Sequence, residues 1–419
     1  MRSGTGVFRV VTLSDQAMSS ASNILAVVLV ARTLSADQFG TFALGYTMLT
    51  VVLGLSRSYF GTRVSLVKDR DAARAVTPGL LGAVAILSPL AMIVVLVASL
   101  LAAGTESWRV LAVVAVATPV VCLQDIVRFA SVAAGRPLVA LMSDMLWVAL
   151  MAAPLILGLA LSEAQVMTIW LGSGVAALVV GLASFRVFPR IRDGLAQLRQ
   201  RHRVGESVTY SVLLGSLSFF LVLLLASRFV GTEAAGSLRG ASTALGPVSV
   251  LFAYAGIGLI PVLVRRPRSL DLRFCALTSL AMASLAAVWG VILLVIPASV
   301  GFVFFGASWA GIREILPWTI VEYIIGCAAV AGLLGLKVRG CSRQIVLSKV
   351  PSVVVMVGGT AIVTAVWGTV WAAAAVLALA SLVLCVGIWI YLFMGSSQEG
   401  DQGPQPVEAP FTEHGGPIA

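Results

Sequence analysis

Charged residues are scarce in this chain: Asp, Glu, Lys and Arg make up 11% of its 419 residues, whereas soluble domains carry about 25%. Apolar residues are abundant instead, at 59% of the chain with a mean hydropathy of +1.02. A soluble core of this length could not bury so much apolar surface. The composition therefore excludes an ordinary soluble protein and indicates an all-α protein that crosses the membrane many times.

The residues and motifs that many enzymes need are also few. Only two histidines are present, His202 and His414, and the five cysteines show no CxxC or other ligand spacing. No Gly-x4-Gly-Lys-Ser nucleotide loop occurs. The longest predicted outer stretch, 297–314, is mostly apolar, unlike the charged outer loops of membrane glycosyltransferases and polymerases. We therefore expect no metal, no cofactor and no enzymatic activity.

Apolar stretches of about 20 residues, long enough to span a bilayer, recur along the chain. We predict about twelve spanning helices in two lobes of six, 1–188 and 206–394, around a central cavity. A cytoplasmic basic linker, 189–205, joins the lobes, and 395–419 is expected to be a disordered cytoplasmic tail rich in Gly and Pro. The predicted spans are 12–31, 39–60, 78–103, 109–134, 138–161, 166–188, 206–229, 237–264, 273–296, 315–336, 344–366 and 368–394.

The basic residues predict the orientation of these helices. With the N-terminus in the cytoplasm, 23 of the 28 Lys and Arg fall on the cytoplasmic side, as the positive-inside rule requires. The other five, which include Arg239, are placed outside. Both termini are then cytoplasmic. The short basic start, 1–9, precedes no small-residue cleavage site, so the first segment is expected to be retained. The net charge of +10 thus reflects topology, and no nucleic-acid partner is expected.

The linker between the lobes has two interpretations. Its Ile191, Leu195 and Leu198 fall on one helical face, with arginines elsewhere. This pattern favours an amphipathic helix on the inner leaflet, where the arginines would contact anionic membrane lipids. A solvated basic linker fits the same residues.

A short repeat supports the division into two halves. Four chemically matched positions recur at an offset of 196 residues, each copy between long apolar stretches. The copies are Arg32, Asp37, Gly40 and Thr41 in the first half, and Arg228, Glu233, Gly236 and Ser237 in the second. Duplicated halves with a substrate path between them are typical of membrane carriers.

Three stretches of the chain resemble a known family. They are VARTLSADQFGTFAL (30–44), LQDIVRFASVAAGRPLVALMSDMLW (123–147) and IPASVGFVFFGASWAGIREILPW (296–318). They are similar in order and spacing to the polysaccharide-transporter family of the multidrug/oligosaccharidyl-lipid/polysaccharide (MOP) exporter superfamily. The resemblance implies a MATE-like MOP flippase fold in the bacterial cytoplasmic membrane, working by alternating access on lipid-linked oligosaccharides. It also implies glycosyltransferases or a polymerase of the same pathway as partners.

The best-studied flippases with this fold line their central cavity with arginines from the first, second and eighth helices. In this chain we assign such an arginine only to the second helix, Arg57. Charges inside the membrane are costly unless they are paired or hydrated, which makes them functional candidates. The candidate substrate-binding residues in the first lobe are Asp15, Asn23, Arg57, Asp125, Arg128 and Asp144.

These charges have a functional and a structural interpretation. In the functional one, Arg57 and Arg128 bind a diphosphate, while Asp125 and Asp144 orient the arginines or carry a coupling proton. In the structural one, Asp125 and Arg128 form a static pair, and Arg57 extends to the headgroups. Asp15 belongs to a polar face of the first helix that is expected to face protein or water.

Two further sites are expected near the outer surface. Arg32, Asp37, Arg228 and Glu233 either form ion pairs that gate the cavity, or cap the following helices while Gly40 and Gly236 permit close packing. Glu322, predicted about one turn from the outer end of the tenth helix, is a candidate coupling acid or an interfacial acid.

Three functions remain open at this point. The first is transfer of an undecaprenyl-diphosphate-linked oligosaccharide from the inner to the outer leaflet for surface polysaccharide synthesis. The second is cation-coupled export of amphipathic drugs on the same fold. The third is a non-transporting scaffold for polysaccharide-synthesis enzymes.

Overall fold

The computed structural model describes residues 3–67, 69–104, 108–200, 203–254, 271–339 and 341–398. Every element of regular structure in these ranges is a helix. In chain order they are α1 (Ser3–Thr33), α2 (Ala36–Ser65), α3 (Arg70–Ala103), α4 (Trp108–Ala133), α5 (Pro137–Ile156), α6 (Glu163–Phe185), α7 (Ile191–Arg199), α8 (Arg203–Phe229), α9 (Thr232–Ala244), α10 (Gly246–Tyr254), α11 (Asp271–Val295), α12 (Ala298–Phe305), α13 (Trp309–Val338), α14 (Ser342–Val354, continuing to Trp367) and α15 (Val370–Gln398).

Eleven spans long and apolar enough to cross a membrane lie within the described residues. They match eleven of the twelve predicted spans. The predicted span 237–264 differs, because the helix breaks at Leu245 between α9 and α10, and 255–264 lie outside the described residues. Pro247 accounts for the break, since it has no N–H to continue the hydrogen-bond ladder.

The predicted outer stretch 297–314 is also helical. It contains α12, one turn of 3-10 helix (Gly306–Ser308) and the first turn of α13. The tenth span therefore begins at Trp309, six residues earlier than predicted. Of the predicted tail, 395–398 continue α15, and 399–419 lie outside the described residues.

Local signals define the helix starts. The Ser35 and Ser162 hydroxyls each accept a hydrogen bond from the backbone N–H three residues on. In turn, the side-chain oxygens of Gln38 and Gln165 accept a bond from the backbone N–H of the capping serine. These two capping boxes begin α2 and α6. Asp69 caps α3 by accepting from the Ala72 amide at 2.7 Å. Polar residues between apolar segments thus set where the chain turns.

Following the predicted division, we call α1–α6 the N-terminal lobe and α8–α15 the C-terminal lobe. Within the first, α1 packs on α5, α3 on α4, and α5 on α6. Within the second, α13 packs on both α11 and α15. The lobes meet where α2 packs against α8 and α9, and where α1 packs against α12.

Helix α7, which lies in the chain between the two lobes, packs against α3. Gly194 packs directly on the Gly82–Ala83 backbone, and the Arg190 amide donates to the Pro78 carbonyl at 2.9 Å. Ile191 and Leu195 remain exposed. An apolar face turned away from the protein is what a helix on a membrane surface needs.

The connections between helices alternate between two ends of the bundle. We call the end holding the α2–α3, α4–α5 and α13–α14 connections the basic end, and the opposite one the far end. In a background lacking the native cysteines, Leu159→Cys at the far end should react with an impermeant maleimide in spheroplasts. Arg190→Cys should react only after permeabilisation, because the positive-inside rule places it in the cytoplasm. Both positions are exposed. The reverse labelling pattern would invert the predicted orientation.

Candidate functional site: a buried charge cluster and an interlobe cavity

Five charged side chains from α1, α2, α4 and α5 meet inside the N-terminal lobe. Arg57 binds Asp125 through two bonds, Nε at 3.0 Å and Nη2 at 2.7 Å. Arg128 lies 3.1 Å from Asp15, 3.3 Å from Asp125 and 3.9 Å from Asp144. We call Asp15, Arg57, Asp125, Arg128 and Asp144 the charge cluster. Its three carboxylates face two guanidinium groups.

Polar neighbours complete the surroundings of Arg128. Its Nη1 donates to the Ser19 hydroxyl at 2.6 Å, and its Nη2 donates to Gln16 Oε1 at 2.9 Å. Gln124 donates to Asp144 at 2.6 Å. The Arg128 side chain is 7% exposed, so these charge-assisted bonds lie in the protein interior, where they are stronger than in water.

The cluster brings together five of the six predicted substrate-binding residues and contains the predicted Asp125–Arg128 ion pair, at 3.3 Å. Arg57 does not extend to the headgroups, because its guanidinium is held by Asp125 and lies 5.7 Å from the Phe129 ring. Asp125 is closer to Arg57 than to the expected partner Arg128. Arg57 begins a π-helical turn, Arg57–Gly61, a local distortion that is frequent at functional sites. Its side chain is 39% exposed.

The sixth candidate, Asn23, lies apart from the cluster. Its Oδ1 accepts a hydrogen bond from the Tyr46 hydroxyl at 2.9 Å. It lines a cavity of about 220 Å³ together with Arg239 and Tyr323. Asn23 therefore belongs to the boundary between the lobes.

Arg239 lies between the two lobes, inside the bundle. The prediction that Arg239 lies on the outer side of the membrane was wrong. Helix α9 begins at Thr232, and Arg239 follows two turns later. Its guanidinium carbon lies 5.0 Å from the centre of the Tyr46 ring, in cation–π contact. Its Nε is buried without a hydrogen-bond partner, and no carboxylate in the described part of the chain lies within 4 Å of it. A half-buried guanidinium that lines a cavity and has no carboxylate partner in the described structure is available to bind an anion.

Small residues explain why the chain can bury Arg239 there. Most of α9 consists of Ala, Gly, Ser and Thr, which lets the helix pack closely between α2 and α13. Gly240, for example, leaves space that Ile312 fills. The long Arg239 side chain then reaches the boundary between the lobes.

The largest cavity near Arg239 has a volume of about 940 Å³ and lies between the lobes. We call it the interlobe cavity. Its walls come from α2, α8, α9, α13 and α14, and its charged lining residues are Arg239, Lys337 and Lys349. No acidic residue lines it in the part of the chain that the structure describes. It extends from Arg239 to Lys337, which is exposed at the basic end.

Glu322 lines a separate cavity of about 390 Å³ in the C-terminal lobe. It lies 13 residues after the start of α13, near the middle of this 30-residue helix and not one turn from its outer end. Arg239 and Tyr323 line the same cavity. Within the described ranges, no basic group lies within 4 Å of the Glu322 carboxylate. The structure thus places this acid deep inside the bundle.

The far end is closed by backbone packing. The Thr232 carbonyl occupies the space that a Cβ on Gly40 would need, and a Cβ on Gly236 would lie 3.1 Å from Gly40 Cα. The two glycines of the repeat therefore pack against each other where the lobes meet. The four gate candidates Arg32, Asp37, Arg228 and Glu233 are exposed and form no ion pairs in the described structure. Asp37 instead accepts a hydrogen bond from the Thr232 hydroxyl.

A side chain at Gly40 should open this closure. We expect Gly40→Val to separate α2 from α9, because overpacking a close contact costs about 1–3 kcal/mol. A cysteine introduced at the buried Ser237 should then react several times faster with a maleimide. Gly172→Val is the matched control, since nothing lies within 4 Å of a Cβ there. Equal labelling in Gly40→Val and the unsubstituted protein would show that the glycine contact does not hold the far end closed.

Solved structures share this architecture. An inward-facing multidrug-resistance MATE-family transporter of the MOP superfamily aligns with a TM-score of 0.66 at 15% identity, covering 94% of this chain and 99% of that chain. The eukaryotic MATE transporter AtDTX14 aligns with a TM-score of 0.59 at 12% identity, covering 93% and 96%. A MOP superfamily transporter from Pyrococcus furiosus, described by the reverse polarity of its binding pocket, gives 0.50 at 15% identity, covering 94% and 95%.

No protein-family model and no curated protein sequence matches the chain. At these identities the structural likeness defines the fold and leaves the substrate open. The chain is a multi-span membrane protein, helical throughout the described ranges, with a fold like that of MATE transporters.

Proposed function

We propose that this protein is a flippase that moves an undecaprenyl-diphosphate-linked oligosaccharide from the inner to the outer leaflet by alternating access. The observation that carries the proposal is the interlobe cavity, which is lined by Arg239, Lys337 and Lys349 and by no described acid. A cavity of one charge sign concentrates and binds ligands of the opposite sign. A diphosphate headgroup has the charge that these cations attract, and the volume of about 940 Å³ leaves space for attached sugars.

Arg239 is the residue we assign to the diphosphate. Its contact with Tyr46 fixes the guanidinium at the boundary between the lobes, and Arg239 lines the interlobe cavity, where its guanidinium can donate to a phosphate oxygen. Arginine binds phosphate through two parallel bonds, which adds geometric selectivity to the charge. Lys337 and Lys349 line the path from the basic end, where they would attract the headgroup first.

We assign the charge cluster a role other than the diphosphate binding predicted for Arg57 and Arg128. Arg128 donates to Asp15, Asp125, Ser19 and Gln16, and Arg57 is already paired with Asp125, so we assign the diphosphate to Arg239 instead. Asp15 Oδ1 and Asp144 Oδ2 are buried without a hydrogen-bond donor in the described structure. We therefore propose that the cluster couples transport to proton movement, with Glu322 as a second candidate acid.

Export of cationic amphipathic drugs is the second candidate. Glu322 supports it, since an acid without a basic partner faces a cavity of about 390 Å³ and could bind a cationic ligand. The MATE structures that share the fold include a multidrug-resistance transporter. Arg239 lines the same cavity and would repel such a cation, which is why we favour the anionic substrate.

Reconstituted flipping distinguishes the candidates. Proteoliposomes with a fluorescent polyprenyl-diphosphate oligosaccharide in one leaflet should expose it to an added quencher on the other side, and empty liposomes should not. Cells lacking the protein should accumulate lipid-linked repeat units on the cytoplasmic leaflet. An unchanged leaflet distribution together with sensitivity to ethidium would favour the drug exporter. An unchanged distribution without drug sensitivity would favour the scaffold.

A further inference from the structure

A small polar pocket of about 220 Å³ lies beside Arg239, where α1 of the N-terminal lobe meets α9 and α10 of the C-terminal lobe. We call it the α1–α9 pocket. Its polar lining consists mainly of hydroxyl groups, with one amide. These groups belong to Ser20, Asn23, Ser242, Thr243, Ser249 and Tyr323. The proposed function gives none of them a role, although they surround the arginine that we assign to the diphosphate.

Four of these hydroxyl groups already donate their hydrogen to a backbone carbonyl. Ser20 Oγ donates to a carbonyl one turn earlier in α1 at 3.0 Å. Ser242 Oγ and Thr243 Oγ1 donate to the Arg239 carbonyl at 2.8 and 2.9 Å, and the Tyr323 hydroxyl donates to the Ser242 carbonyl at 3.2 Å. A hydroxyl has one hydrogen and two lone pairs. The pocket therefore presents hydrogen-bond acceptors to a ligand.

The donors of the pocket are Asn23 and Arg239. The Asn23 amide donates one N–H to the Ser19 carbonyl at 2.9 Å, and an amide has a second N–H to donate. Arg239 lines both the α1–α9 pocket and the interlobe cavity. Ser242 and Thr243 follow it by three and four residues, so they lie on the same face of α9. A phosphate bonded to Arg239 therefore lies at the edge of a surface of acceptors.

This arrangement selects the chemistry of the ligand. A second anion could not donate to the hydroxyl lone pairs, whereas a group with several O–H donors could satisfy them. A cation is disfavoured, because Arg239 borders the pocket and no carboxylate lines it in the described part of the chain. The volume of about 220 Å³ is below the roughly 300–1,000 Å³ of sites for drug-sized ligands. The ligand is therefore one polyhydroxylated ring next to a phosphate.

We propose that the α1–α9 pocket binds the hexose attached directly to the diphosphate, with the sugar hydroxyls donating to Ser20, Ser242 and Thr243. This inference rests on the proposed function. It adds a site that selects the first sugar of the lipid-linked oligosaccharide. Because Ser20 belongs to α1 and Ser242 to α9, one bound ring contacts both lobes.

Three ligands test the pocket on the unsubstituted full-length protein. They are geranyl diphosphate, its conjugate with a hexose, and a conjugate in which fluorine replaces the free hydroxyls of the hexose. Fluorine keeps the size of the sugar close to the original and cannot donate a hydrogen bond. The hexose should strengthen binding about tenfold, equivalent to about 1.4 kcal/mol, and the fluorinated hexose should add nothing. Equal affinity for the two conjugates, or no gain from the hexose, would overturn the proposal.

A double variant then locates the sugar. Ser20→Ala combined with Ser242→Ala removes one acceptor from each lobe, so the hexose conjugate should bind about tenfold more weakly and geranyl diphosphate should bind as before. Ser381→Ala, which removes a hydroxyl from the neighbouring cavity lined by Glu322, is the matched control and should change neither affinity. Unchanged binding of the conjugate in the double variant would place the sugar elsewhere and overturn the pocket.

Geranyl diphosphate distinguishes failure of the pocket from failure of the proposed function. If the unsubstituted protein binds it and Arg239→Leu does not, the diphosphate site stands whatever the hexose conjugates show. If the unsubstituted protein does not bind it, or if Arg239→Leu binds it equally well, the proposed function is refuted and the pocket loses its basis.

Discussion

Replacing Arg239 with leucine is expected to abolish transport of a diphosphate-linked lipid and to weaken diphosphate binding about 100-fold. Removing one partner of a desolvated, charge-assisted contact costs about 2–5 kcal/mol, and 1.4 kcal/mol corresponds to a factor of about ten. Arg239→Lys should retain part of the affinity, because lysine keeps the charge and loses the two-bond geometry. Binding of geranyl diphosphate to the purified protein measures both effects. Arg109→Leu is the control, since Arg109 is exposed and lines none of the cavities described above.

The same substitution should leave the fold intact. Arg239 is half-buried, with an enclosed, unpartnered Nε and no carboxylate within 4 Å in the described structure. Such a group costs desolvation energy, so an apolar replacement is expected to be neutral or stabilising. The melting temperature of Arg239→Leu should therefore equal or exceed that of the unsubstituted protein. A large fall in melting temperature would instead mark Arg239 as a structural residue.

Arg128→Met is expected to destabilise the protein by about 3–5 kcal/mol, because it leaves buried carboxylates without their cation. Arg128 contacts Asp15, Asp125 and Asp144, and it links α4 to α1 and α5. Arg57→Met should cost less, since Arg57 is 39% exposed and Asp125 would still contact Arg128. Melting of the detergent-solubilised protein measures both effects.

Charge balance provides the control for this second prediction. Asp15→Asn removes one carboxylate, so adding it to Arg128→Met should recover part of the lost stability. A polar substitution that stabilises only in the variant background shows coupling between the two residues. If Arg128→Met melts like the unsubstituted protein, the charge cluster does not hold the N-terminal lobe together.

The amino-acid sequence predicts most of the fold and the residues of the charge cluster. It does not predict the interlobe cavity around Arg239. Apolar stretches of about 20 residues predict all eleven spans found in the described residues. They do so because every helix that crosses a bilayer needs about this length of apolar sequence. The rarity of charge inside such helices similarly identified the members of the charge cluster. The partners within it were not predictable, since the register between α1, α2, α4 and α5 depends on packing far apart in the sequence.

The role of Arg239 in the interlobe cavity was not predicted, because the start of α9 was placed too late in the sequence. With a start at 237, Arg239 falls at the end of a helix, among outer residues. The repeat contains the missing signal: an offset of 196 places Arg239 on Ala43, which is buried well inside α2. Applying the repeat to the helix boundaries would have moved Arg239 into the bundle.

The role of the far-end repeat also depends on three-dimensional packing. Its charged residues suggested ion pairs, yet Asp37 and Glu233 lie exposed in the first turns of α2 and α9, where acids favour the helix dipole. Gly40 and Gly236 make the contact between the lobes. Closeness of two backbones is a property of the pair of helices, and neither copy of the repeat reveals it alone.

A structure of the full-length protein with a bound polyprenyl diphosphate tests the central claim most directly. We predict diphosphate density beside Arg239 in the interlobe cavity, with Arg57 still bonded to Asp125. Density beside Arg57 and Arg128, with their carboxylate partners displaced, would contradict the account and return the anion site to the charge cluster.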